Sequence, residues 1–438
     1  TPHPMMYEYK KLAQPVQILM YNGLYGRFAI RNKNFFVNLE QYQISYTIEV
    51  AGKVVATGEV NMPQVPPQST VEFVVDVPWL KINAGEEPFI RFSVREKSDR
   101  LWQSAGTEVA WESFKLPYTS TVSGRKESLS LGSWKFVNGK VGSFSAEFGA
   151  LKFNFGPDGL ESICNGKQSL MQNNIEPLYW RAGLDNDGIK LKIAIYQWTI
   201  LSRWLKNGYD KFVTTTSSCE LKANENLVVV SKSSQPGNND LPPVEMKQYF
   251  QFNANGSVRI GFEVNLPEAV SELPRVGFTM PLNVNLQQVE WFGLGPYENY
   301  CDRNAGVWVS RFTKQVEQMH TPYVMPQENG GRTQCRYAAM RNDNGDGFVL
   351  AMPEHLQFAV SRYSQEQLYS KAHEHELALE DVIYLNVDAL QRGVGTGSCG
   401  PQTSDNYQVK HGVFHFNCVF AALKRDDDAY TVASEIIG

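Results

Sequence analysis

Polar and aromatic side chains crowd into residues 291–303, where a predicted strand runs into a loop rich in Gly and Pro. Glu298, Asn299 and Asp302 stand in this segment among four aromatic residues. Aromatic faces stack on the C–H faces of a pyranose, while carboxylates and amides form hydrogen bonds with its hydroxyls. The segment therefore predicts a site of sugar recognition.

A second segment of the same character covers residues 321–332. Together with the preceding His320, it adds Glu328 and Arg332 to the candidate contacts of a sugar. Both segments predict loops that follow strands, the usual place for binding residues.

An alternative interpretation assigns these charges to structure. Glu298 or Asp302 could pair with Arg303, and such a pair would hold the first loop together. Glu328 could pair with Arg332 in the second loop in the same way. The sequence leaves sugar recognition and loop pairing both open.

Two further loops stand out. Residues 181–188 form a short acidic loop, and residues 393–400 contain four glycines. Glycine adopts backbone conformations closed to other residues and lets a ligand or partner approach the main chain. The second loop is therefore either a tight structural corner or the edge of a site.

Several classes of protein are excluded or disfavoured. The common motifs of phosphate binding, zinc proteases and serine hydrolases are absent. The 41 Lys and Arg against 46 Asp and Glu give a formal net charge of -5, which argues against nucleic-acid binding. No run approaches the roughly 20 consecutive apolar residues that span a bilayer, so no membrane partner is expected. His373 and His375 lack an evident third metal ligand, and a solvated polar segment is preferred to a metal site.

The elements that must position these residues are strands. Short apolar runs punctuated by Gly and Pro predict an all-β chain. About seven such runs fall within residues 1–118, which is typical of an immunoglobulin-like β-sandwich. A Ser/Thr-rich linker is predicted at residues 119–127. The strands that recur over residues 128–424 predict two large sheets packed face to face.

Two local signals interrupt or end this pattern. Ser364 and Gln367 have the spacing of a capping box, which predicts a short helix as far as about Ala372. The charged residues after Leu423 predict a tail, residues 425–438, that frays in solvent.

A series of short motifs runs in order along almost the whole chain. They are Thr1-Pro2-His3-Pro4, Leu184-Asp185-Asn186-Asp187, Gly293-Leu294-Gly295-Pro296, Glu298-Asn299-Tyr300 with Asp302-Arg303, Thr321-Pro322-Tyr323-Val324, Glu328-Asn329-Gly330, Ser361-Arg362-Tyr363-Ser364, and Leu385-Asn386 with Asp388. In these motifs the chain resembles the C-terminal portion of the large bacterial β-galactosidases of glycoside hydrolase family 2. The Pro-rich start fits a segment excised from a longer chain.

The resemblance implies an immunoglobulin-like domain followed by a large β-supersandwich of the galactose mutarotase kind. It places the two catalytic glutamates and the magnesium ligands in a (β/α)8 barrel that this sequence lacks. No cofactor is therefore expected in this segment itself. We expect the chain to be an inactive part of a retaining β-galactosidase, which packs on the catalytic barrel and shapes the sugar entrance.

The resemblance also implies site residues. In related enzymes a mobile loop directly after the Leu-Asp-Asn-Asp motif closes over the sugar, and this corresponds here to Asp187 and Gly188 onward. A Trp preceded by Ser forms an aromatic platform in those enzymes and aligns with Cys399 after Ser398. A thiol cannot stack on a sugar ring as an indole does, so the family's preference for lactose does not carry over with this residue.

Two other functions stay open. The large sandwich could be a stand-alone carbohydrate-binding module whose contacts are Glu298, Asn299, His320, Glu328 and Arg332. It could also be an aldose epimerase with a His and a carboxylate as its acid/base pair. The resemblance implies the catalytic barrel, β-galactoside sugars and further copies of the same chain as partners, and a cytoplasmic or periplasmic location.

Overall fold

The computed structural model describes residues 2–83, 85–118, 132–140, 142–188, 199–397 and 400–437. The chain divides into two units, of which the first comprises Thr1–Glu127 with Ala305–Arg311 and the second Ser128–Asn304 with Phe312–Gly438. The predicted linker, residues 119–127, lies outside the described residues. No helix in the described part is long and apolar enough to cross a bilayer.

The described residues of the first unit form one helix and seven strands that lie wholly within it. They are α1 (Pro4–Ala13), β1 (Val16–Asn22), β2 (Arg27–Asn32), β3 (Tyr42–Val50), β4 (Lys53–Val60), β5 (Thr70–Val74), β6 (Pro88–Glu96) and β7 (Glu108–Lys115). The strands form a three-stranded sheet in the order β1-β2-β5 and a four-stranded sheet in the order β4-β3-β6-β7.

The two sheets of the first unit share one apolar core. Phe28 of β2 meets Phe92 of β6 edge to face, with ring centroids 4.8 Å apart. Ile44 and Ile48 of β3 are buried in the same core, as the strand's alternation predicts. The predicted immunoglobulin-like sandwich is confirmed, whereas helix α1 was not predicted from the sequence. Pro4 begins that helix at a position where a missing N–H costs nothing.

The second unit is larger. Its described strands are β8 (Lys135–Asn138), β9 (Phe144–Phe148), β10 (Leu151–Gly156), β11 (Gly159–Asn165), β12 (Gln168–Met171), β13 (Glu176–Leu178), β14 (Val213–Lys222), β15 (Leu227–Gln235), β16 (Val244–Phe252), β17 (Val258–Leu266), β18 (Arg275–Leu282), β19 (Gln288–Gly295), β20 (Trp308–Gln315), β21 (Tyr337–Arg341), β22 (Gly347–Ala351), β23 (Gln357–Ser361), β24 (Ile383–Gln391) and β25 (Gly412–Leu423). The first half of β20, as far as Arg311, is assigned to the first unit. The helices of the second unit are α2 (Ile200–Lys206), α3 (Gln365–Ser370) and α4 (Ala429–Ile437).

The described strands of this unit form two nine-stranded sheets. One has the order β23-β24-β18-β12-β11-β10-β9-β8, with β13 paired to β18, and the other has the order β14-β15-β16-β17-β25-β22-β21-β19-β20. Phe278 of the first sheet stacks on Phe262 of the second at 4.3 Å. Phe153 of the first sheet meets Phe420 of the second at 5.4 Å. The sheets therefore pack face to face, and the predicted large all-β sandwich is confirmed.

The predicted helix after Ser364 is present, but its cap differs from the prediction. The Ser364 side chain accepts a hydrogen bond from the Gln367 backbone N–H, as predicted. The Gln367 side chain does not reach back. The Ser364 backbone N–H donates instead to the Glu380 carboxylate at 3.0 Å, because that carboxylate lies beside the helix start and is the stronger acceptor.

The predicted fraying tail, residues 425–438, is wrong. Helix α4 forms within it and packs on β22 and β25. Ala429 and Ala433 are buried one above the other on one face of the helix. These two residues are four apart and bury an apolar face of the helix. That packing holds the segment in place although a charged run precedes it.

Candidate functional site

Four loops of the second unit meet, and they are the ones whose residue types suggested chemistry. The Asn299 backbone N–H donates to the Gly331 carbonyl at 2.9 Å. The Glu328 N–H donates to the Ala182 carbonyl at 3.3 Å. The Asn186 amide donates to the Val394 carbonyl at 2.6 Å. Residues 181–188, 296–303, 327–332 and 388–397 therefore form one cluster, although they are far apart in sequence.

Glu298 is the central acceptor of its loop. Its carboxylate accepts hydrogen bonds from the Arg303 guanidinium and the Tyr323 hydroxyl and from the Gly330 N–H at 2.9 Å. The side chain is 1% exposed. The Glu298–Arg303 pair offered as the structural interpretation is present, and burial raises the pKa of Tyr323, which keeps that hydroxyl a donor.

Asn299 joins the same two loops through its side chain. The amide nitrogen donates to the carbonyls of Leu294 and Tyr297. The amide oxygen accepts from the N–H and the hydroxyl of Thr333, at 2.9 and 2.6 Å. These bonds use both donors and both lone pairs of the amide. Asn299 is placed to hold the loops in register.

The proposed Glu328–Arg332 pair does not form. Glu328 pairs with Arg275 of β18 at 3.3 Å, and Arg275 also binds Asp388 through Nε at 2.7 Å. All three side chains are buried. Burial raises the pKa of the Asp388 carboxyl, and the Arg275 guanidinium opposes that rise. A residue on a central strand reaches Glu328 more directly than a neighbour on the same loop.

Arg332 binds main-chain oxygens instead. Its Nη1 donates to the carbonyls of Gly330 and Gly331 at 3.1 and 3.0 Å, and its Nη2 donates to the Pro296 carbonyl at 3.3 Å. The guanidinium lies 5.2 Å from the Trp291 ring. Burial lowers the pKa of Arg332 to about 10. Arg332 thus fixes two loops to each other from inside.

Lys314 lies beside this cluster and provides a test of its electrostatics. Its amine donates to the Pro296 carbonyl at 3.0 Å. Burial, helped by the Arg332 charge, lowers the pKa of Lys314 from 10.5 to about 8. Because the unfolded chain binds this proton more tightly, the Lys314 contribution to the free energy of unfolding rises between those two pH values.

We expect Lys314 to be acylated faster than ordinary lysines at neutral pH, because more of its amine is unprotonated. Mass-spectrometric mapping after N-hydroxysuccinimidyl acetate treatment measures the rate at each lysine. The Lys314 rate should rise with pH up to about 8 and then level off. A rate that keeps rising in parallel with the other lysines would contradict the lowered pKa.

The acidic loop is held by a buried ion pair. A single Arg181 nitrogen contacts both Asp187 oxygens at 2.9 and 3.0 Å, and the Leu184 N–H donates to the same carboxylate at 2.9 Å. Burial raises the pKa of Asp187. Gly188 has φ +143° and a Cβ there would lie 2.5 Å from the Thr199 hydroxyl, so only glycine fits.

The loop that the resemblance expects after Gly188 begins at residue 189, and residues 189–198 lie outside the described residues. Ser398 and Cys399 lie outside them as well. The described edges of the two segments meet, because a Cβ on Gly397 would lie 2.6 Å from the Asn186 carbonyl oxygen. The sugar-contact roles of these residues stay predictions.

Asp302 anchors the Gly-rich loop. Its two carboxylate oxygens accept hydrogen bonds from the backbone N–H groups of Val394 at 2.9 Å and Gly395 at 2.8 Å. A Cβ on Gly393 would lie 2.5 Å from the same carboxylate. The close approach of the main chain to Asp302 explains why glycine stands at residue 393.

Replacing Asp302 by Ala should lower the free energy of unfolding by about 1–2 kcal/mol, because two N–H groups lose a charged acceptor. The Val394 and Gly395 amides should exchange with deuterium faster, while β-strand amides elsewhere keep their rates. Asp302→Asn retains one acceptor oxygen and should show roughly half of the effect. Unchanged exchange at residue 395 in Asp302→Ala would show that the loop is held by other contacts.

His320 lies outside the Arg275 ion-pair network. Its Nε2 pairs with Glu374 at 2.8 Å, and its ring lies 4.9 Å from Tyr363. His373 and His375 stack on each other at 5.5 Å. Among the residues that the structure describes, no group of three His, Cys, Asp or Glu side chains could hold a metal ion.

Sequence reasoning missed Arg275 as the partner of Glu328 and Asp388. The signal that could have revealed it is a charged residue at the start of the otherwise apolar strand β18, because a buried charge requires a partner of opposite sign. The hydrogen bond from the Tyr323 hydroxyl to Glu298 was also not predicted. Tyr323 lies in the 321–332 segment, but the sequence does not indicate which acceptor its hydroxyl binds.

Comparisons with known proteins fit this description. Residues 147–420 match the family described as the β-galactosidase small chain, and residues 28–117 match β-galactosidase domain 4. The β-galactosidase of Priestia megaterium is 29% identical over 416 residues, which cover 93% of this chain and 38% of that protein. The Vibrio cholerae β-galactosidase is also 29% identical, over 90% of this chain and 37% of that protein. This chain thus spans about two fifths of these relatives.

Solved structures show more distant likeness. A galactose 1-epimerase from Lactobacillus acidophilus has a TM-score of 0.37 and 10% identity, over 67% of this chain and 99% of that chain. An α-N-acetylgalactosaminidase from Bifidobacterium bifidum has a TM-score of 0.31 and 10% identity, over 67% and 36%. The family match covers residues 147–420, more than half of the chain. The chain belongs to the β-galactosidase small chain family.

Proposed function

We propose that this chain is the non-catalytic part of a β-galactosidase that acts on terminal β-D-galactosides. In this proposal the four-loop cluster of the second unit forms part of the rim around the sugar, and another region of the enzyme breaks the glycosidic bond. The family match supports this, together with the short span of the chain relative to its relatives.

The observation that carries the proposal is the state of the carboxylates. Glu298, Glu328, Asp187 and Asp388 are each buried against an arginine. A retaining glycosidase needs two carboxyl groups about 5 to 5.5 Å apart that reach the substrate, one as acid/base and one as nucleophile. Carboxylates committed to buried arginines are suited to positioning loops. This supports a catalytic barrel elsewhere, which would also hold the magnesium ions.

The rim role rests on what the buried bonds fix in place. Asp187 and Arg181 fix the chain just before residue 189, and Asp302 fixes residues 394 and 395, a few residues before residue 398. The two segments that the resemblance assigns to sugar contact therefore start from neighbouring stretches of chain that these hydrogen bonds hold in place. Support of this kind is what a precisely positioned binding loop requires.

Reconstitution tests the proposal. The part of the Priestia megaterium β-galactosidase outside the matching segment would be produced as a separate polypeptide and mixed with this chain. Hydrolysis of nitrophenyl β-galactoside should require both polypeptides, and Asp302→Ala should raise KM more than it lowers kcat. If the mixture hydrolyses the substrate with the same KM and kcat when Asp302→Ala is used, the loop cluster does not form part of the rim around the sugar.

The proposal also includes homo-oligomers, since soluble enzymes of this size commonly form symmetric assemblies.

The stand-alone alternatives are tested on the chain itself. Heat from calorimetric titration with galactose would support a binding module, and accelerated mutarotation of glucose or galactose in a polarimeter would support an epimerase.

A further inference from the structure

Helix α1 of the first unit is attached to that unit through charged residues. Lys11 pairs with Glu112 at 2.8 Å and lies 4.1 Å from the Trp111 ring. The Glu8 carboxylate accepts hydrogen bonds from the backbone N–H groups of Ala305 at 2.9 Å and Gly306 at 2.7 Å. In most surface helices the apolar face packs inward and the charged face is solvated. In α1 the side chains of Glu8 and Lys11 face the rest of the unit instead.

The opposite face of α1 is apolar and exposed. Met5, Tyr9 and Leu12 are 58%, 64% and 65% exposed, and their spacing of four and three residues places them on one face. Met6, at the edge of this face, is 48% exposed. None of the residues of α1 is buried.

Neighbouring loops extend this apolar surface. A groove of about 730 Å³ is lined by Met6 and Tyr9 of the helix and by Val37 and Trp102 of two loops. Polar side chains, among them Lys10, Glu96 and Arg100, line the rest of it. Trp102 is 79% exposed and Val37 is 48% exposed. Met5, Met6, Tyr9, Leu12, Val37 and Trp102 are called the α1 patch below. Leu101, Phe35 and Phe36, which are neighbours of Trp102 and Val37 in sequence, are also exposed.

Solvent exposure of this many large apolar side chains is costly. Removing such side chains from water is favourable, and contiguous apolar surfaces on soluble proteins mark sites of interaction. Trp and Tyr are also the residues that contribute most to protein interfaces. A binding partner with its own apolar face fits the α1 patch better than a sugar, since most of the patch offers no hydrogen-bonding group.

We infer that the α1 patch is the surface on which the catalytic region of the β-galactosidase docks. This inference rests on the proposed function. The relatives supply the occupant, because about three fifths of their length has no counterpart in this chain. A region of that size is large enough to cover the roughly 800 Å² that each partner contributes to a standard interface.

The test uses the full 438-residue chain and, as the probe, the same separate polypeptide from the Priestia megaterium enzyme. Sedimentation velocity measures their association. Tyr9→Ser and Trp102→Ser should each weaken it about tenfold or more. Trp79→Ser is the matched control, because Trp79 is 81% exposed in the same unit but does not line the groove. Circular dichroism melts should be unchanged in all three variants, since the side chains are exposed.

Loss of association in the two patch variants, with association retained in Trp79→Ser, is the expected result. Equal association of all variants, with turnover restored by the mixture, would overturn the docking surface and leave the proposed function standing. If this chain forms a dimer and the patch variants abolish that dimer, a second copy of the chain covers the α1 patch. That result would overturn the proposed docking of the catalytic region. Absence of both association and turnover would overturn the two proposals together.

Discussion

Arg275→Met should lower the free energy of unfolding by about 3–5 kcal/mol, the largest effect expected from a single substitution in this chain. Arg275 is fully buried between Asp388 and Glu328. Its removal leaves the Asp388 and Glu328 carboxylates in the interior without their ion-pair partner, while Met fills much of the same volume. Urea unfolding followed by circular dichroism measures the change.

Arg259→Met is the matched control, because Arg259 of the same unit is exposed and donates to the Asn417 side chain at 2.8 Å. Its effect should stay below about 1 kcal/mol. The triple variant Arg275→Met with Asp388→Asn and Glu328→Gln should recover part of the loss, since no buried charge is then unpaired. A loss of less than 1 kcal/mol in Arg275→Met would mean that water reaches this ion pair.

Glu298→Ala should produce the second largest loss, about 3 kcal/mol or more. The substitution leaves the Arg303 guanidinium, the Tyr323 hydroxyl and the Gly330 N–H without their acceptor. We expect the amide of residue 330 to exchange with deuterium faster and the 327–332 loop to become more open to proteases.

Glu298→Gln separates charge from shape, because the amide keeps an acceptor oxygen for Tyr323 or Gly330 but loses the charge that binds Arg303. It should cost about half as much as Glu298→Ala. Glu263→Ala is the control, since the Lys247–Glu263 pair is 3.6 Å apart and its side chains are 52% and 35% exposed. If Glu298→Ala and Glu263→Ala had equal effects, the carboxylate would not be the organising group of the loop cluster.

The predictable parts of this fold are those that local sequence determines. The alternation of β3 and the spacing of Ser364 and Gln367 follow from the periods of strands and helices, and both elements formed. The prediction of a fraying tail was wrong because the fold of that segment depends on packing that is not local in sequence. A charged run around Asp427 dominated the local pattern, whereas α4 is stabilised by packing on strands that the pattern does not reveal.

The candidate site was predictable as a set of loops but not as a network. The residue types of the 291–303 and 321–332 segments indicated loops with charged and aromatic contacts, and these loops meet. The partners could not be predicted, because Arg275 lies 113 residues from Asp388 and 53 from Glu328. Pairing at that separation depends on how strands β18 and β24 are arranged in the sheet, which single-sequence periodicity does not determine.

Hydrolysis of nitrophenyl β-galactoside by the purified chain without any partner shows whether this chain can break a glycosidic bond by itself. We expect no release of nitrophenol above the buffer control, because we propose that the acid/base and nucleophile belong to another region of the enzyme. Turnover that follows the chain through purification and disappears in Glu298→Gln or Glu328→Gln would contradict it.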